Sequence, residues 1–198
     1  SITLGLNFKK EKVNIDNKID KIEEYIDLKL ASVFRLDEEK NIPTNSTLNK
    51  KNSNIFGQFN FKPINNISLG YNFSLTDDLK TFEYNSLITN MVFGNFTTRF
   101  DYLDESGVVG DANVIENTTK YNFDGQNFIS FNTRRNQKLD LTEYYDLVYE
   151  YKNDCLIANI KYRKKYYNDA DIKPAEDLFF TLTIVPLGTF SPDKMALK

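Results

Sequence analysis

Side chains able to do chemistry are sparse in this chain. Its one cysteine, Cys155, lies in YEYKNDCLIANIKYRKKYY (149–167), and there is no histidine. Without imidazole the usual general base and the commonest metal ligand are missing. A serine–histidine triad and a Cys/His zinc site are therefore excluded from these residues. Carboxylates, guanidinium groups and one thiol remain. Asp169 and Asp171 with Glu176 and Asp177, and again Asp37, Glu38 and Glu39, offer oxygen donors of the kind a divalent cation takes. In both places a solvated charged loop is the plainer reading. Arg134, Arg135 and Lys138 suit phosphate oxygens, again with loop solvation as the plainer reading. Asn-x-Ser/Thr sites such as Asn45 are expected by chance in so Asn-rich a chain. The thiol sits at a tight turn between two strand-like runs, where an incidental buried group is the plainer reading. No catalytic constellation, metal site or cofactor motif stands out, so the chain is read as a protein without enzymatic chemistry.

The elements that position these residues are strands almost throughout. In ITLGLNFK, Ile2, Leu4, Leu6 and Phe8 alternate with Thr3, Gly5, Asn7 and Lys9. Ile67, Leu69, Tyr71, Phe73 and Leu75 do the same against Ser68, Gly70, Asn72 and Ser74. In the last run Leu178, Phe180, Leu182 and Ile184 share one face, and Phe179, Thr181, Thr183 and Val185 the other. About eleven such strands are expected, near 2–10, 24–36, 54–63, 66–76, 80–93, 95–104, 113–123, 127–135, 143–152, 155–167 and 177–188. A helical spacing is confined to NIDNKIDKIEEYI, where Ile15, Ile19, Ile22 and Ile26 recur, so this segment is a short helix or a polar connection into the second strand.

Short turns (KPINN, FGN, DGQN, KND) are interleaved mostly with longer charged links. Short turns at one end and long loops at the other are the habit of outer-membrane barrels, and most runs approach the ~9–11 residues that cross a bilayer when tilted. TDDLK is shorter than this pattern wants, and the first connection longer. A soluble antiparallel sheet also alternates. The polar faces, rich in Asn, Ser, Thr, Lys and Arg, and the Phe and Tyr near strand ends favour a wet lumen and interfacial girdles, although Trp is absent. A net charge of −3 gives no general attraction to nucleic acid. The chain starts in strand alternation without an initiating Met, and is expected to be a C-terminal piece of something larger.

LTEYYDLVYEYKNDCLIANIKYRKKYYNDADIKPAEDLFFTLTIVPLGTF (141–190) resembles the C-terminal end of the LptD family, the lipopolysaccharide-assembly or organic solvent tolerance proteins of Gram-negative outer membranes. The elements that carry the resemblance are Tyr-x-x-Asp-Cys closing one strand, a following strand with spaced aromatics, and Asp-Ile-Lys-Pro before a Phe-Phe strand. ISLGYNFSLTDDLKTFEYNSL and FTTRFDYLDE fit more loosely. The resemblance implies an all-β, antiparallel up-and-down transmembrane β-barrel of about 26 strands, of which this chain is the C-terminal part. Residues 1–190 would belong to the barrel and 191–198 would be a tail. About eleven strands cannot close so wide a barrel alone.

The resemblance further implies lipopolysaccharide export into the outer leaflet, with no cofactor, through a seam between first and last strands. Leu178, Phe180, Leu182, Ile184 and Pro186 would lie on this chain's side of the seam. Pro186 has no amide hydrogen to give a ladder; a terminal strand also carries Pro without any gating role. The implied partners are an LptE-like lipoprotein plug, a periplasmic lipopolysaccharide bridge protein, lipopolysaccharide itself and outer-membrane lipid. The barrel-assembly machinery would read a terminal strand ending in Phe190. In the family, cysteines at the Cys155 turn bond to the N-terminal periplasmic region, so Cys155 would form a disulfide to a segment outside this sequence, in an oxidising compartment. Two other classes stay open: a porin or receptor barrel, and a soluble β-sheet adhesin or binding module.

Overall fold

Phe8, Leu28, Phe59 and Tyr71 face one another in register across four neighbouring strands. Rows of this kind organise the whole fold. A computed structural model of the protein describes residues 1–16, 19–43, 46–107, 109–167, 172–185, 187–191 and 195–197. The strands are β1 (Ile2–Asp16), β2 (Ile19–Phe34), β3 (Ile55–Ile64), β4 (Ile67–Leu75), β5 (Phe82–Phe93), β6 (Phe96–Glu105), β7 (Asn113–Asn122), β8 (Asn127–Asn136), β9 (Leu141–Lys152), β10 (Leu156–Lys165), β11 (Ala175–Ile184), β12 (Gly188–Phe190) and β13 (Met195–Leu197). The chain is an all-β, antiparallel, up-and-down sheet in which β1 to β12 follow sequence order and β13 also pairs with β11. No α-helix occurs among the described residues.

Three expectations are corrected. The segment with helical isoleucine spacing is neither a helix nor a polar link, because β1 and β2 continue as one long hairpin, with Ile15 opposite Asp20 and Val13 opposite Ile22. The strand expected over 177–188 stops at Ile184, where the chain turns back. Gly188 sits at φ 135, a backbone open to glycine, and β12 then pairs Gly188 with Ile184 and Phe190 with Leu182. The residues expected as a tail contribute β13, which pairs Met195 with Leu178 and Leu197 with Glu176. With the first hairpin in place, each connection from an odd to an even strand is short: 17–18, 65–66, 94–95, 123–126, 153–155 and 185–187.

The chain forms two units, residues 1–90 with 101–113, and residues 91–100 with 114–198. In the first, the apolar row above has a polar counterpart on the other face, where Lys9, Asp27, Asn60 and Gly70 lie in register. The link 35–54 is tied to the strands through Arg35 N to Lys51 O (2.7 Å) and Ser53 N to Val33 O (2.9 Å). Fully buried Asn54 donates from Nδ2 to Ser74 Oγ (2.9 Å) and Glu83 Oε2 (2.6 Å). In the second unit Phe131, Leu147, Tyr162 and Leu178 make the apolar row, and Thr118, Asn132, Asp146, Arg163 and Asp177 the polar one.

Neither unit has an apolar core among the described residues. Among the described residues Val114 is the buried hydrophobic side chain, while Leu6 (55%), Phe8 (51%), Leu147 (47%) and Ile160 (48%) stay exposed. Ordinary domains bury such a face under a second layer.

Candidate functional site

The Cys155 turn is built by an asparagine. Asn153 Oδ1 accepts from Cys155 N (3.0 Å) and Leu156 N (2.8 Å), and its Nδ2 donates to Tyr151 Oη (3.2 Å). Asn153 N donates to Leu156 O (2.9 Å), closing the hairpin between β9 and β10. Such side-chain-to-backbone bonds are why Asn is favoured at turns. Val185 N donates to Cys155 O (2.8 Å), which fastens the β11–β12 turn beside it. The thiol itself is free and exposed, so the alternative of an incidental buried group does not describe it. Its surroundings are a hydrogen-bonded turn and open solvent, so the sulfur is accessible.

Beside this turn lies the edge strand. Leu178, Phe180, Leu182 and Ile184 align with Tyr162, Ile160, Ala158 and Leu156 of β10, and Phe180 and Ile184 remain exposed. The outer side of β11 is not bare: β12 covers Leu182–Ile184 and β13 covers Glu176–Leu178. Pro186 lies outside the described residues, as do Asn45, Asp169 and Asp171. Among the described residues no group of three or more His, Cys, Asp or Glu is gathered as a metal would require. Glu176 pairs with Lys164 (2.9 Å), and Asp177 is buried across from Arg163. Asp37, Glu38 and Glu39 do not assemble a site either; Glu39 Oε1 accepts from Asn41 N (3.2 Å) within its own loop.

The arginine cluster separates. A register shift between Arg134 and Arg135 sets the neighbours apart. Arg134 bridges Glu116 and Glu143, whereas Arg135 binds Asp140 and Thr142 Oγ1 (3.2 Å). Neither guanidinium is held ready for a phosphate.

The most tightly organised polar group of the second unit escaped sequence reasoning. Arg163 on β10 holds Asp146 on β9 through Nε and Nη2, lies over the Tyr144 ring (4.7 Å from guanidinium carbon to centroid), and is in register with buried Asp177 on β11. Each residue sits on the polar phase of its strand, which sequence shows; their juxtaposition depends on register, which it does not. Thr98, Thr119 and Asn117 form a second such group, with Thr98 Oγ1 and Thr119 Oγ1 2.9 Å apart and Asn117 Nδ2 donating to Thr98 Oγ1 (3.1 Å).

Set against protein-family models and curated proteins, the sequence finds no match.

Proposed function

We propose that this chain is the C-terminal portion of an LptD-like outer-membrane β-barrel that assembles lipopolysaccharide into the outer leaflet. The observation that carries this reading is the uncovered apolar face. In each unit Leu, Ile, Phe and Tyr side chains of one sheet face are exposed, with no protein layer over them among the described residues, while Asp, Arg and Lys are paired on the opposite face. Hydrocarbon is the solvent that suits the first face, and a hydrated lumen suits the second. From β3 to β11 the strands run 9 to 12 residues, close to a tilted bilayer crossing. The alternation of short turns with longer links supports the same reading.

The wet interior would pass the sugar portion of lipopolysaccharide, and acyl chains would leave sideways. β11 is the strand on this chain's side of such a seam, and β12 with β13 would have to yield for it to pair elsewhere. Cys155, exposed on a rigid turn, would bond to a cysteine upstream in the full-length protein. The deciding experiment depletes the full-length protein in its host and follows newly made lipopolysaccharide. Loss of surface lipopolysaccharide is expected; undiminished display ends the export assignment. Non-reducing electrophoresis of the full-length protein tests the thiol separately: Cys155→Ser should abolish a disulfide-dependent mobility change.

A further inference from the structure

On the polar face of the first unit, β2 to β5 enclose a recess of about 600 Å³, the size of a small-molecule site. Its polar lining is Asp27, Gln58, Asn60, Ser68, Asn72 and Asn90, with Ile88 as an apolar element. Asp27 is 4% exposed, and its two carboxylate oxygens differ. Oδ2 meets Lys29 Nζ at 3.0 Å, while Oδ1 has no hydrogen-bond partner among the described residues. A buried, unpartnered carboxylate oxygen is costly, and it marks a place where a donor belongs.

We propose that this recess binds the pyranose rings of a neutral oligosaccharide. A sugar hydroxyl both donates and accepts, and a carboxamide offers one acceptor beside one donor, so Gln58, Asn60, Asn72 and Asn90 match neighbouring hydroxyls. Asp27 Oδ1 accepts a hydrogen bond from one further hydroxyl. The charges favour an anionic ligand little: Lys9 is paired with Glu24 (2.7 Å) and Lys29 with Asp27 (3.0 Å), which leaves Lys62 as a single cation in the lining. A phosphate would need an excess of cations. A divalent cation would need a gathered set of acidic ligands, and none is present among the described residues. Gly70 keeps the floor open, since a Cβ there would stand 3.3 Å from Asn60 Oδ1 and crowd the amide. The assignment rests on the recess alone and stands whether or not the chain serves lipopolysaccharide export.

The test uses the full-length protein that contains these residues, kept free of any detergent with a sugar headgroup so that micelles do not compete. Saturation-transfer NMR and calorimetry are run with maltose, cellobiose and lactose, and with inorganic phosphate and calcium as counter-probes. Binding of at least one disaccharide is expected. Asp27→Ala, and separately Asn72→Leu, should weaken it by about tenfold, as for one lost hydrogen bond to a ligand. Should Asp27→Ala fail to fold, Asn72→Leu carries the same test. A folded chain that binds none of the three sugars overturns the proposal. So does tighter binding of phosphate or calcium, or sugar binding that the folded variants leave unchanged.

Discussion

Arg163 and Asp146 face each other across β10 and β9, joined by two hydrogen bonds, and Asp177 stands in register with the same arginine from β11. One guanidinium therefore serves two carboxylates that are each 3% exposed. The arrangement sets an order of costs. Arg163→Met takes the shared cation from both acids and should destabilise by about 4 kcal/mol, as for a broken buried ion pair. Asp146→Asn keeps an acceptor for Arg163 and leaves Asp177 beside it, so about 1–2 kcal/mol is expected, the scale of a weakened charged hydrogen bond. Urea unfolding of the purified protein reads the difference; equal losses would show that Asp177 draws nothing from Arg163.

Gly57 and Phe73 are paired across β3 and β4, and a methyl group built on Gly57 would overlap the Phe73 ring. The ring lies over the bare glycine and continues a cluster, 5.5 Å from Tyr71 and 5.7 Å from Phe82 between centroids. Gly57→Ala should push the ring away and cost about 1–3 kcal/mol, as overpacking does. Adding Phe73→Leu should recover part of that loss, because the two changes share one space. Unfolding midpoints of both single variants and the double variant close the cycle; strict additivity would refute the packing relation.

How much of this was legible beforehand follows from what periodicity contains. Ile2, Leu4, Leu6 and Phe8 alternate, and the strand and its two faces follow directly. The first hairpin was obscured by a register shift at Lys10/Glu11, opposite Glu24 and Ile26. The isoleucine spacing that imitates a helix is drawn from two strands, with Ile15 in β1 and Ile19, Ile22 and Ile26 in β2, and the extra residue Tyr25 falls between Ile22 and Ile26. The end of β11 was hidden for another reason. Alternation runs on through Val185, and only pairing of Phe190 with Leu182 reveals that the chain has reversed. Asp27, Asn60 and Asn72 each read as unremarkable polar strand positions. What makes them a recess is the stacking of three strands in register, and no single strand encodes that.

Asp124 holds the turn between β7 and β8. Its Oδ1 accepts from Gln126 N (3.0 Å) and Asn127 N (2.7 Å), and its Oδ2 from Asn127 Nδ2 (2.6 Å). The backbone bond from Gln126, then that from Asn127, hold the carboxyl below its ordinary value of 3.8. A depressed folded value means that the contribution is complete above the ordinary value and disappears as pH falls through the depressed one. Amide exchange at Gln126 and Asn127, corrected for intrinsic rates, should therefore show constant protection near neutrality and a loss in strong acid. Asp124→Asn should remove the acid step. A step that persists in that variant would assign it to another group.

The outer side of β11 decides how the sheet ends. An unpaired strand edge offers a row of amides and carbonyls to any other chain. Here β12 and β13 occupy Leu182–Ile184 and Glu176–Leu178, in registers that differ by one residue. The cover is made of two three-residue strands, so it holds by few bonds and should open more readily than the β10–β11 ladder, which pairs along ten residues. Truncation after Leu187 should speed exchange of the β11 amides that face the missing strands, leave those bonded to β10 protected, and promote self-association of the purified protein. Tethering Thr189 to Thr183 through a pair of introduced cysteines should do the reverse, since their hydroxyl oxygens already lie 2.9 Å apart. If truncation leaves exchange at Leu182 and Leu178 unchanged, the C-terminal residues do not shield this edge in solution. Protection at these amides that is lost on truncation and raised by the tether in the untruncated chain would establish the C-terminal strands as a removable cover of β11.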